Sequence, residues 1–200
     1  ETASLPPIKV QLYKNLPMGA GLGGGSSDAA FFIDLLNSKF GLGLTSTQMG
    51  KMASKIGSDC SFFIKNHPVL AKGKGDEFSE IKIDLSGYYI LIVFPNINSN
   101  TKEAYDGIVP SPPKNDLKNI IENKPVSQWK DHLTNDFEET VFIKYPQIKE
   151  LKQDLYASGA LYASMSGSGS SVFGIFDKQP ATNFKTGYRF YLQTPASKIL

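Results

Sequence analysis

Residues 17–30 read Pro17-Met18-Gly19-Ala20-Gly21-Leu22-Gly23-Gly24-Gly25-Ser26-Ser27-Asp28-Ala29-Ala30, with glycine at five of nine consecutive positions from Pro17 to Gly25. Glycine leaves its backbone N–H unshielded by a Cβ and accepts positive φ, so such a stretch can curl its amides around an oxyanion. Ser26, Ser27 and Asp28 are predicted to cap a helix whose apolar residues Ala29, Phe32, Ile33 and Leu36 recur at i, i+3, i+4 and i+7. The loop would then open onto a helix N-terminus, where free N–H groups and the positive end of the dipole favour an anion.

Other glycine-rich nucleotide motifs fit less well. Gly19, Gly21 and Gly24 satisfy G-x-G-x-x-G, but Pro17 interrupts the preceding strand and no acidic residue stands at positions 41–44, where a ribose-binding one belongs. The Walker pattern fails because Gly25 follows Gly24 and no Lys-Ser or Lys-Thr pair comes next; H-R-D and D-F-G are absent as well.

The 200 residues are 40% hydrophobic, enough for a real core in one domain or two small ones. A net charge of +2 without long basic runs gives no electrostatic footprint for nucleic acid or a membrane surface, and no apolar run is long enough to span a bilayer. The one cysteine, Cys60, excludes an internal disulfide framework and suits a reducing compartment. The opening Glu1-Thr2-Ala3-Ser4 has no signal-peptide pattern, so a cytoplasmic location is expected.

Along the chain, residues 8–14 alternate as a half-buried strand should, and Thr45 with Gln48 forms a capping box for a helix facing inward through Met49, Met52, Ala53 and Ile56. Asp59 stands between a helix end at Gly57 and the apolar Phe62-Phe63-Ile64, well placed to project into a cleft, and is the best catalytic carboxylate in the chain. Strands are expected at residues 69–71, around Ile81 and Ile83, at 88–94, at 172–176 and at 188–192. Residues 98–101 offer caps for a short helix holding Ala104 and Tyr105, ended by Gly107, Pro110, Pro112 and Pro113. Leu117, Ile120 and Ile121 have helical spacing, and Trp129 is assigned to packing. Asn135 and Glu138 read as a capping box, Pro146 as the first residue of the next helix with Ile148, Leu151 and Leu155 on one face, and Gly159 as its C-cap. In residues 163–173, Ser166, Gly167, Ser168 and Gly169 are small enough for close backbone approach, to the first glycine loop or to a ligand.

The 17–30 stretch resembles the second motif of the GHMP kinases, a P-x-x-x-G-L-G-S-S-A-A-like loop, and residues 163–173 resemble the third. Residues 56–63 resemble the segment with the catalytic aspartate, although Ser61 stands where the family usually has Pro. Residues 71–77 resemble an A-x-G-x-G-E element, and Asn135-Asp136-Phe137-Glu138 resembles N-D-x-E. The extended glycine run is most like the branch that phosphorylates the 2-hydroxyl of 4-diphosphocytidyl-2-C-methyl-D-erythritol on a route to isoprenoids.

The resemblance implies an α+β, two-layer fold: a truncated N-terminal half over residues 1–87 and a ferredoxin-like C-terminal half over 88–200. It implies ATP with Mg²⁺. Pro17, Met18, Gly19, Ala20, Gly21, Leu22, Gly23, Gly24, Gly25, Ser26 and Ser27 would hold the phosphates, and Ser27 would contact the metal. Asp59 would act on the attacking hydroxyl, Thr101 and Tyr105 would face the cytidine diphosphate methylerythritol acceptor, and residues 166–169 would support the loop. The family's P-x-K-x-N lysine and D-G-Y-H-like segment do not occur in the chain. With the missing initiating Met, this gives the expectation of a fragment that is a poor catalyst and associates through an exposed sheet edge. A different GHMP acceptor (mevalonate-like, homoserine or sugar) and a non-catalytic nucleotide-binding remnant are the alternatives.

Overall fold

Glycine, not hydroxyl, starts the first helix. The computed structural model describes residues 5–109, 111–112 and 115–196. In it α1 (Gly24–Phe40) begins on Gly23, which has φ 62° and gives no side-chain cap. Glycine reaches this left-handed conformation without steric cost, and the Ser27 N–H already bonds the Gly23 carbonyl at 2.8 Å. The expected caps Ser26, Ser27 and Asp28 therefore lie inside the helix.

The described chain forms two compact units, one of residues up to Pro17 plus Gly23–Glu80, the other of Met18–Leu22 plus residues from Ile81 onward. In the first, Ile33 of α1 packs with Met49 and Ala53 of α2 (Ser46–Ala53) and Cys60 of α3 (Cys60–Lys65). Thr45 and Gln48 make both bonds of the expected capping box. Met52 and Ile56, expected inward, are exposed, Ile56 because α2 stops at Ala53. The side chain of Asn37 ties α1 to the following loop by accepting from Leu44 N–H at 2.9 Å and donating to the Leu44 carbonyl at 3.0 Å.

Strands β1 (Val69–Lys72) and β2 (Glu77–Glu80) pair as an antiparallel hairpin around Gly73 and Gly75. The strand expected around Ile81 and Ile83 thus ends at Glu80. The strand expected at residues 8–14 does not form, and Ile8, Val10 and Leu12 are exposed. Alternation selects a face, but a strand also needs a neighbour for its N–H and C=O groups, and none pairs with this segment among the described residues.

The second unit is built on β3 (Tyr89–Phe94), followed by α4 (Thr101–Asp106), α5 (Leu117–Asn123), a 3₁₀ turn at Val126–Asp131, α6 (Phe137–Lys144), α7 (Pro146–Ala157), β4 (Tyr162–Met165), β5 (Val172–Phe176) and β6 (Arg189–Gln193). The strands form an antiparallel sheet in the order β4-β5-β3-β6. The expected α+β arrangement of helices on an antiparallel sheet is present. Leu91, Val93, Ala163, Met165, Val172 and Phe176 face Val141 of α6 and Ile148, Leu151 and Leu155 of α7. Tyr162 and Ile175, on the alternate positions, pack with Ile120, Val126 and Trp129. Residues 177–188 contain no helix. Asn100 caps α4, and Pro146 opens α7. Pro110, Pro113 and residues 1–4 lie outside the described residues. No helix among those described is long and apolar enough to cross a membrane.

Burial of the Tyr162 ring, edge-on to Trp129 at 5.8 Å, pushes its phenol up to about 12. Between about pH 10 and 12 the unfolded chain loses this proton while the folded chain keeps it, so stability falls as pH rises. Urea titrations across that window are expected to show a loss of about 2–3 kcal/mol that Tyr162→Phe removes.

Candidate active site

The first glycine stretch is divided between the two units. Met18–Leu22 belongs to the second. There the Ser171 N–H donates to the Ala20 carbonyl at 3.1 Å, and Ser166 Oγ donates to the Gly21 carbonyl at 2.7 Å. Ala20 is buried, whereas Met18 is exposed. Gly21 has φ 74°, and a Cβ there would lie 2.0 Å from the Ser166 carbonyl oxygen and 2.8 Å from that of Gly169. The close approach expected of residues 166–169 is made to the first glycine loop. Gly19, at φ 68°, is held similarly close to Asn98, whose Oδ1 would be 2.3 Å from an added Cβ.

The 166–169 loop is fastened from several sides. Gly169 N–H donates to the Ser166 carbonyl at 2.9 Å, and Ser99 Oγ to the Ser168 carbonyl at 2.7 Å. Thr101 Oγ1 and Ser168 Oγ are 3.1 Å apart, and Ser170 Oγ bonds the Ile97 carbonyl. Thr101 is thus brought to the loop, while Tyr105, one turn further along α4, is 63% exposed and sets its ring at 72° to Phe137 with centroids 4.8 Å apart.

In the first unit, Pro17 ends the preceding segment and Gly23, Gly24, Gly25, Ser26 and Ser27 turn into α1. The first-turn N–H groups have no intrahelical acceptor and no side chain caps them. A Cβ on Gly23 would touch Phe63 at 2.9 Å, so packing requires that glycine; at Gly24 and Gly25 it would meet no atom within 4 Å. Asp59 precedes α3 with its carboxylate free of any capping bond, exposed and 3.4 Å from Ser58 Oγ. Gly75, φ 88°, lies beside it: a Cβ on Gly75 would be 3.5 Å from Asp59 Oδ1.

Asn135 and Glu138 do something the sequence did not reveal. Of the two side chains only that of Asn135 makes a local bond, accepting from the Phe137 N–H at 3.0 Å. Its amide nitrogen donates to the carbonyls of Met165 and Gly167, 2.8 Å each. Glu138 Oε1 accepts the Met165 N–H at 2.9 Å and lies 3.3 Å from Ser164 Oγ, while Oε2 pairs with Lys152 at 2.6 Å. The expected capping box is therefore replaced by contacts to β4 and the loop after it.

Residues 1–67 match the GHMP kinases N terminal domain and residues 111–192 match GHMP kinases C terminal. The chain belongs to the GHMP kinase family. A 4-diphosphocytidyl-2-C-methyl-D-erythritol kinase of Bacteroides fragilis is 50% identical over 175 residues, covering 88% of this chain and 64% of that protein. One of Cytophaga hutchinsonii is 51% identical over 183 residues, covering 91% of this chain and 67% of that protein. The chain thus spans about two thirds of the length of these curated relatives. A crystal structure of 4-(cytidine 5'-diphospho)-2C-methyl-D-erythritol kinase superposes with TM-score 0.66 at 27% identity, over 81% of this chain and 59% of that one. Homoserine kinase of Cytophaga hutchinsonii, TM-score 0.67 at 17% identity over 91% and 68% of the two chains, shares the fold.

Proposed function

We propose that this chain carries the phosphate loop and the carboxylate for ATP-dependent phosphorylation of the 2-hydroxyl of 4-diphosphocytidyl-2-C-methyl-D-erythritol, a step toward isoprenoid precursors, and that its own turnover is slow. The observation that carries the reading is the start of α1, where glycine caps the helix and open space surrounds Gly24 and Gly25. Residues 17–27 surround the phosphates, with the backbone N–H groups of Gly24, Gly25 and Ser26 aligned by the helix between Gly23 and Ser27, and Met18, Gly19, Ala20, Gly21 and Leu22 held by the 166–169 loop.

Asp59 orients the attacking hydroxyl and accepts its proton. Thr101 and Tyr105 receive the acceptor, the exposed tyrosine ring packing on the cytosine. The described residues hold no group of three or more His, Cys, Asp or Glu able to cage a metal. A Mg²⁺ carried chiefly by phosphate oxygens takes only one or two protein oxygens; Ser27, in the first turns of α1, would supply one. Bound there, the ion would neutralise developing phosphate charge.

The test is ADP release by this chain with ATP and Mg²⁺ against a panel of acceptors. Release that depends on 4-diphosphocytidyl-2-C-methyl-D-erythritol, and not on homoserine or mevalonate, is the expected result. Release driven by another acceptor overturns the substrate assignment. ATP binding with no acceptor-dependent release overturns the catalytic one.

A further inference from the structure

The segment Asn135-Asp136-Phe137-Glu138 touches both sides of the proposed reaction within the second unit. Asn135 bridges the carbonyls of Met165 and Gly167, the residues either side of Ser166, and Ser166 Oγ is the donor that holds Gly21. Glu138, 12% exposed and paired with Lys152, secures the Met165 N–H at the end of β4. Between them, Phe137 packs against the core and presents its ring to Tyr105. Three neighbouring residues therefore fix the 166–169 loop that holds Gly21 and the aromatic ring that stands exposed on α4.

We infer that this turn is a positioning element for both substrates, Asn135 and Glu138 setting the nucleotide-side loop and Phe137 setting the acceptor-side Tyr105. The inference rests on the function proposed above. None of the three residues need touch either substrate; each acts through a group that does. Misplacement of a binding group by about 1 Å is enough to cost up to about a hundredfold, and an aromatic pair contributes enough to move affinity by about threefold to tenfold.

The test measures equilibrium binding of two probes, ATP and cytidine 5'-diphosphate, to the whole chain and to variants that separate the two arms. Asn135→Asp is isosteric and still accepts the Phe137 N–H, but it faces two carbonyls with a carboxylate oxygen. It is expected to weaken ATP at least about tenfold and leave cytidine diphosphate within about twofold. Phe137→Leu is expected to do the reverse, weakening cytidine diphosphate about threefold to tenfold with ATP within about twofold, and Phe137→Tyr should restore it. A general loss of structure would weaken both probes together, and that result, or no change in either, overturns the inference.

Amide exchange without ligand keeps this separate from the functional reading. If the wild-type chain binds neither probe, the proposed function and the substrate-positioning role both fall. Faster exchange at residues 18–22 and 166–171 in Asn135→Asp would then show that Asn135 still holds the loop, and unchanged exchange would overturn that as well.

Discussion

Gly21→Val is expected to abolish measurable ATP binding, weakening it about a hundredfold or more, while the helices of both units remain formed. Two costs add at this position. A φ of 74° is left-handed, which costs a residue with a side chain about 1–2 kcal/mol, and more when it is β-branched. The Cβ would also stand 2.0 Å from the Ser166 carbonyl oxygen and 2.8 Å from that of Gly169. Both obstacles are backbone, so no rotamer change relieves them; the 18–22 stretch must leave its seat and lose the bonds from Ser166 Oγ and the Ser171 N–H. Calorimetric titration with ATP, alongside circular dichroism to follow the helices, reads the effect. Gly24→Ala is the informative partner. An added Cβ there meets nothing within 4 Å, so the fold should tolerate it. A loss of ATP affinity in that variant reports the ligand's own need for space, and unchanged affinity in both variants would remove the glycine loop from the proposed site.

The same loop shows which features were legible in the sequence and which were not. The Thr45 and Gln48 box, Pro146 at a helix start and the Ile148, Leu151, Leu155 face all became structure because each is a local pattern that the backbone satisfies within one or two turns. Asn135 and Glu138 carry a pattern of the same kind, yet most of their side-chain hydrogen bonds go to Met165 and its neighbours, about thirty residues away. Nothing in a four-residue spacing distinguishes a local acceptor from a distant one. Residues 8–14 failed for a related reason, since alternation says nothing of a pairing partner. The start of α1 was misplaced because serine and aspartate are usual caps, whereas a left-handed glycine does that work from three residues before Ser26. At the site, the small residues at 166–169 signalled close approach, and the first glycine loop is what they approach. The Thr101 link to Ser168 joins residues 67 apart, beyond the reach of any local signal.

Asp59→Asn is expected to lower acceptor-dependent ADP release by about a hundredfold to ten-thousandfold, the range lost when a positioned acid–base group is removed. The structure makes this substitution unusually clean. The Asp59 side chain gives no cap to α3, and its recorded side-chain partner, Ser58 Oγ at 3.4 Å, can equally be served by an amide oxygen. Asparagine keeps the shape beside Gly75, so neither the turn nor the packing of Cys60, which begins α3 and is buried in the first core, has cause to change. Unfolding should therefore be unaltered, and ATP affinity should stay within about twofold, because this residue is assigned to the hydroxyl and not to the phosphates. Steady-state rates at saturating acceptor, compared with ATP titration of the same variant, separate the two effects. A fall in turnover with nucleotide binding intact assigns Asp59 to the chemical step. Turnover that survives the substitution takes the proton-accepting role away from Asp59, and a parallel loss of ATP binding would move the residue to the nucleotide side of the site.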